Sequence, residues 1–162
     1  MNNAISIIKD EHRSMAAVIK GLQAQLAAVK AQGGEPDFHL YGAMLDYIEA
    51  YPDRLHHPKE DEYLFRFLRQ RCEAAHSILD ELESQHARCA DLLGELRQAL
   101  QASREAGEVD TLASALEAYA AFLWDHMGKE EDQVLPLAER HLTAEDWQTI
   151  DAAFAANRAG NW

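Results

Sequence analysis

The sequence predicts an all-α protein: an up-down-up-down four-helix bundle with a short fifth helix at its C-terminal end. Three observations carry this. Apolar residues recur at alternating three- and four-residue spacing through long segments, as on one face of a helix. The 8 glycines and 4 prolines of the 162 residues are few, and several mark the joints between those segments. The strict apolar–polar alternation of a half-buried strand is absent. The length suits one domain with a real apolar core, so residues 1–162 are read as a single domain, bundle about 3–141 and last helix about 143–157.

Each element has its own signals. The first helix, about 3–31, presents Ile5, Ile8, His12, Met15, Ile19, Leu22, Leu26 and Val29 on one face and stops at Gly33-Gly34-Glu35-Pro36. The second, about 37–71, presents Leu45, Ile48, Pro52, His56, Glu60, Leu64 and Phe67; Pro52 and Pro58 predict kinks. The third, about 73–103, shows Leu79, Leu82, His86, Cys89, Leu93, Leu96 and Leu100, and Ala106-Gly107-Glu108 turns the chain. The fourth, about 109–141, shows Leu112, Leu116, Tyr119, Leu123, His126, Glu130, Val134 and Leu137, with Gly128 and Pro136 as weak points. Thr143 and Asp146 read as a capping box opening the last helix, whose Trp147, Ile150 and Phe154 pack it on the bundle in a stabilising role.

The charge narrows the function classes. Lys and Arg number 15 against 28 Asp and Glu, a net charge of −13. Such a surface repels phosphate backbones, so neither nucleic acid nor an anionic membrane is expected as a partner. No apolar run is long enough to span a bilayer, and the opening residues show no export signal. The two cysteines, Cys72 and Cys89, make no paired framework. A reduced, cytoplasmic setting is the expectation.

The chemistry lies where polar residues interrupt the stripes. His12, His56, Glu60, His86, His126 and Glu130 stand at core positions of all four long helices. A buried polar group left unpaired costs about 1–3 kcal/mol, and an ionised carboxylate more. A lone core histidine is more often hydrogen-bonded to a neighbour, and a lone His-x-x-x-Glu pair is a common surface contact. Two such pairs, His56/Glu60 and His126/Glu130, joined by single core histidines on both other helices, call for one explanation. A metal centre provides it, because cations satisfy neutral imidazoles and carboxylates together. Residues i and i+4 project from one helical face, so each pair offers one nitrogen and one oxygen to the same site, and a carboxylate can bridge two ions. Four His and two bridging Glu suit two metals: iron best, manganese or zinc also. Cys89 reads as a small core residue and Tyr119 as core. His57 with Asp61 is a competing i,i+4 pair, offset by one and next to Pro58, and His56/Glu60 is held over it on its symmetry with His126/Glu130. His39, His76 and His141 fall near helix ends and read as solvated.

These residues resemble the hemerythrin-like (HHE cation-binding) family. The resemblance rests on Asp10-Glu11-His12-Arg13, on His56-His57-Pro58-Lys59-Glu60-Asp61-Glu62 before Leu64-Phe65, on His86, and on His126-Met127-Gly128-Lys129-Glu130-Glu131 running into Val134-Leu135-Pro136. It covers about residues 4–140. It implies a bundle holding two Fe ions, oxo- or hydroxo-bridged, with His12, His56, His86 and His126 as terminal ligands and Glu60 and Glu130 as bridges. Oxygen-carrying members use five histidines, two of them spaced i,i+4 on the third helix. Here Leu82 and Ala90 flank His86 at that spacing, which predicts an iron with a position open to solvent or an added ligand. Glu83, three residues before His86, is a candidate further ligand, held second to an orienting or solvated role. The resemblance therefore implies a protein that binds a small diatomic ligand, O2 or NO, for sensing, storage or stress response. The alternative it implies is an enzyme or iron donor acting on peroxide or NO or in iron–sulfur cluster repair. Members acting in repair carry an added cysteine-bearing N-terminal module, whereas this sequence opens on the first helix. An exposed Tyr, Trp or Leu cluster could supply a homodimer face.

Overall fold

The computed structural model describes residues 3–159, and the first two and last three residues of the chain lie outside it. Among the described residues the structure is all-helical, with five rods. They are α1 (Asn3–Gln32), α2 (38–71), α3 (His76–Ala106, after a 3-10 turn Glu73–Ala75), α4 (110–141) and α5 (Ala144–Ala159). None of these helices is long and apolar enough to cross a membrane.

The ends follow from local chemistry. Gly33 and Gly34 adopt φ of +80° and +97°, conformations that glycine adopts freely, and they stop α1. Asp37 caps α2, its Oδ1 accepting from Leu40 N–H at 3.0 Å. Gly107, at φ +70°, ends α3 in a left-handed cap. The capping box at α5 is formed in both directions. Thr143 N–H donates to Asp146 Oδ2 at 3.0 Å, and Asp146 N–H donates to Thr143 Oγ1 at 3.1 Å. The Arg71 guanidinium also grips both oxygens of Asp146, at 2.9 and 3.2 Å, fastening the end of α2 to the start of α5.

Prolines go with two of three widened stretches: Pro52 and Pro58 with the first, and Pro136 with the last. α2 is π-helical over Glu49–His56 and again over Glu60–Phe65, and α4 over Glu130–Val134. Proline has no N–H to give and its ring crowds the carbonyl four residues back. A turn with one extra residue relieves the crowding. Accordingly, His57 N–H reaches back five residues to Pro52 O, and Leu135 N–H five residues to Glu130 O.

The core is divided. One apolar cluster gathers Ile7 and Ile8, Leu64 and Phe65, Leu79 and Leu82, Val134 and Leu135, with Trp147, Ile150 and Phe154 of α5. The other gathers Met15 and Ile19, Tyr41 and Leu45, Leu93 and Leu96, Leu116 and Leu123. Between them lies a belt of buried polar side chains: Glu11, His12, His56, His57, Glu60, His126 and Glu130. Burying such a belt is tolerable only if its members satisfy one another or a common guest.

Candidate metal centre

All six residues picked out by the stripes point into this belt. The donor atoms of His12, His56, Glu60 and Glu130 lie within 4.8 Å of one another, and so do those of Glu60, His86, His126 and Glu130. The two glutamates belong to both groups, the position a bridging ligand occupies. His12 Nε2 and His126 Nε2 each stand 3.6 Å from an oxygen of Glu130, and His56 Nε2 meets Glu60 Oε1. His86 Nε2 is 3.1 Å from His126 Nε2.

The outward nitrogens are held. Nδ1 of His12 faces Glu131 at 3.2 Å, that of His86 faces Asp61 at 2.8 Å, and that of His126 faces the Gln85 amide oxygen at 2.8 Å. His56 Nδ1 pairs with Glu11, whose other oxygen accepts from the Asn157 amide at 3.1 Å. An acceptor at Nδ1 keeps the proton there and turns the Nε2 lone pair inward, the arrangement that orients imidazoles around a cation.

The inward atoms of His12, His56, Glu60 and Glu130 approach one another without hydrogen bonds. His12 Nε2, His56 Nε2, His57 Nε2 and both oxygens of Glu60 and of Glu130 are buried without a hydrogen bond. Orphaned atoms of this kind are rare in a folded core, and here they converge, so the donor set fits one or more cations. Burial pushes Glu60 up to about 8, and burial with the neighbouring Glu60 charge holds Glu130 well above the carboxylate range. Burial, with the other imidazoles around it, pushes His126 down to about 2 and His57 well below its usual value. Neutral imidazoles are already in the ligating form, while the two carboxylates need positive charge between them to ionise together.

The structure adds a residue to this site. His57 is as buried as His12, and its donor atom joins those of His86 and His126 within 4.8 Å. Its ring stacks on His86 with centroids 4.2 Å apart. The sequence reading sets His56/Glu60 and His57/Asp61 in competition, but both histidines turn inward. α2 has packed neighbours on both sides and a widened turn just before His57, so His56 faces α1 and α5 while His57 faces α3 and α4. Asp61 is given instead to His86. Asp53, one turn before His57, lies 3.6 Å from its Nδ1 and is pushed up to about 6, by burial and then by Glu49.

Other expectations resolve plainly. Glu83 is turned to Arg69 at 3.1 Å. Tyr119 is buried among apolar neighbours. His39 and His141 are exposed as expected. His76 is half-buried, bound at Nε2 to Arg69 O at 2.8 Å. Glu11 and Asn157 are among the partners sequence reasoning missed. Glu11 had a signal, since it falls three residues after Ile8 on a buried face; Asn157, at the far end of the chain, had none.

A search of curated proteins and a search of solved structures each give no match. The model of one family, the hemerythrin HHE cation-binding domain, matches residues 3–138, a span that takes in every residue of the belt. The chain belongs to the hemerythrin HHE cation-binding domain family.

Proposed function

We propose that this chain is an up-down-up-down bundle holding two iron ions, and that it binds a small diatomic ligand, O2 or NO, reversibly at one of them in the cytoplasm. The observation that carries this is the convergence of orphaned His and Glu atoms on two donor groups sharing Glu60 and Glu130. The alternating topology is supported by the order in which the helices meet the two cores: α1 and α3 run from the first apolar cluster to the second, α2 and α4 the reverse. Mixed imidazole and carboxylate donors favour iron among common metals.

Counting donors sharpens the expectation of an open position. His57, His86 and His126 with the two bridges would give one ion five protein donors, whereas His12 and His56 with the same bridges would give the other four. The vacant positions then belong to the His12/His56 ion. That side also has access: a cleft of about 400 Å³ is lined by His12, Arg13, Ala16, Lys20, Trp124, Met127 and Glu131. An iron pair supplies one-electron chemistry and reversible binding of such ligands. The chain supplies neutral imidazoles, two bridges and an apolar surround that limits water.

The deciding experiment is metal analysis with optical spectra, with and without air, NO and peroxide. Two irons per chain, with charge-transfer bands that respond to O2 or NO, support the reading. A metal-free protein of unchanged stability overturns it. Turnover of NO or peroxide beyond one equivalent per site would make the chain an enzyme rather than a binder.

A further inference from the structure

A second donor group lies directly outside the belt. Asp53, His57 and Cys89 bring their donor atoms within 4.8 Å of one another. Asp53 Oδ1 is buried with no hydrogen bond. Cys89 is 1% exposed and lies beside Asp53 and His57 rather than within either apolar cluster. Asp53 also lines a surface cleft of about 410 Å³ with Glu49, Arg54, Ala90, Gly94 and Arg97. Both arginines there are engaged, Arg54 with Glu49 at 2.9 Å and Arg97 with Asp46 and Glu49 at 2.9 and 3.0 Å. The mouth therefore presents no unpaired positive charge to a cation, and Gly94 leaves open space beside it.

We propose that Asp53, His57 and Cys89 form a transit site for a divalent metal cation, held there on its way from this cleft to the two-metal centre. His57 is the shared member. Its Nδ1 faces Asp53, and its Nε2, buried without a hydrogen bond, is the atom left to serve the His86/His126 group. A neutral imidazole has one lone pair, so it can ligate through one nitrogen at a time. With the outer ion bound, Nδ1 ligates and Nε2 carries the proton. With the centre filled, Nε2 ligates and Nδ1–H donates to Asp53. Occupation of the outer site and completion of the centre exclude each other, which makes the outer site a stage in loading rather than a third permanent site. Cys89 ligates as thiolate; its proton is released to solvent as the metal–sulfur bond forms and is taken back when that bond breaks.

The inference rests on the two-metal reading, and one experiment separates their failures. Metal-free protein is mixed rapidly with Co(II) without air, and the near-ultraviolet thiolate-to-cobalt charge-transfer band is followed with metal uptake. The band should rise first and decay as two ions enter the centre. Cys89→Ser should lose the band and fill several-fold more slowly, to the same final content. In the double variant His126→Ala, Glu130→Ala, with helix content checked by circular dichroism, the band should persist because the ion has no destination. Uptake of two ions with no thiolate band, and with Cys89→Ser filling at the unaltered rate, overturns the transit site and leaves the centre standing. A lasting band in the unaltered protein with no further uptake overturns passage inward together with the two-metal reading.

Discussion

Helices α2 and α4 carry the same local motif, His-x-x-x-Glu followed by a π-helical stretch, yet they give the centre different things. α4 contributes His126 and Glu130 from one face. α2 brings His56 and Glu60 and also His57 to the belt, because it has a further widened turn, running up to His56, that α4 lacks. The placement of a proline-bearing turn thus decides whether neighbouring residues serve one centre or face apart. π-helical turns of this kind are frequent at functional sites.

The comparison can be broken at its strongest point first. Glu60 belongs to both donor groups, so Glu60→Gln should cost both ions, lowering metal affinity by about 100-fold or more, since even outer-shell substitutions cost 10–100-fold. The same substitution should raise the melting temperature of the metal-free protein by removing a buried ionisable group. Metal content and calorimetry check the two signs; retained content of two would refute the shared bridge.

The asymmetry between the helices is tested next. His57→Ala should leave the His12/His56 group intact and weaken the other ion, which keeps four protein donors, by about 10-fold. His126→Ala should do the same from the other helix. Unchanged affinity in His57→Ala would return α2 to parity with α4 and remove the fifth histidine from the site.

The pH response comes third. Folded Glu60 keeps its proton to about 8, while the unfolded chain releases it near 4.5. Between these values the folded state holds more protons, so this contribution is complete below 4.5 and is lost as pH rises to about 8. The His126 contribution has the opposite sense, complete above 6.5 and lost as pH falls toward 2. Above 6.5 only the carboxylates act, so thermal stability of the metal-free protein should fall from pH 6.5 to 8. Bound metal should reverse the trend, because it holds both carboxylates ionised. A flat profile in the metal-free protein would mean that the glutamates are not coupled as described.

The smallest effect concerns the last helix. Asn157→Ala removes the donor to Glu11 and should cost about 1.5–3 kcal/mol, the range for hydrogen bonds to charged groups. It should also loosen His56 and leave His126 alone. Unequal broadening of the two ring signals in NMR spectra of the metal-free protein would show this.

Much of this architecture was legible in residue order. The apolar stripes and the Gly33-Gly34 and Gly107 stops placed all five helices, because period and breakers are local signals. The six side chains that converge in the belt were legible for the same reason: a histidine or glutamate in an apolar stripe is conspicuous. His57 was not, since a regular helix turns neighbouring residues about 100° apart, and reading both as inward requires knowing that the turn widens and that partners lie on two sides. The Nδ1 partners were mostly out of reach. Glu131, Asp61 and Gln85 meet histidines on other helices, and sequence spacing says nothing about which rods become neighbours. Cys89 looked like filler by position and gained a different reading only once Asp53 was found beside it.

The belt that separates the two apolar clusters draws side chains from every long rod. Each long rod is therefore greasy at both ends and polar at its waist, with no continuous oily seam to hold it. An empty waist would be a plane of weakness where the halves could breathe apart independently, and cations there would act as rivets. Hydrogen exchange should then slow most at mid-rod amides when metal is added.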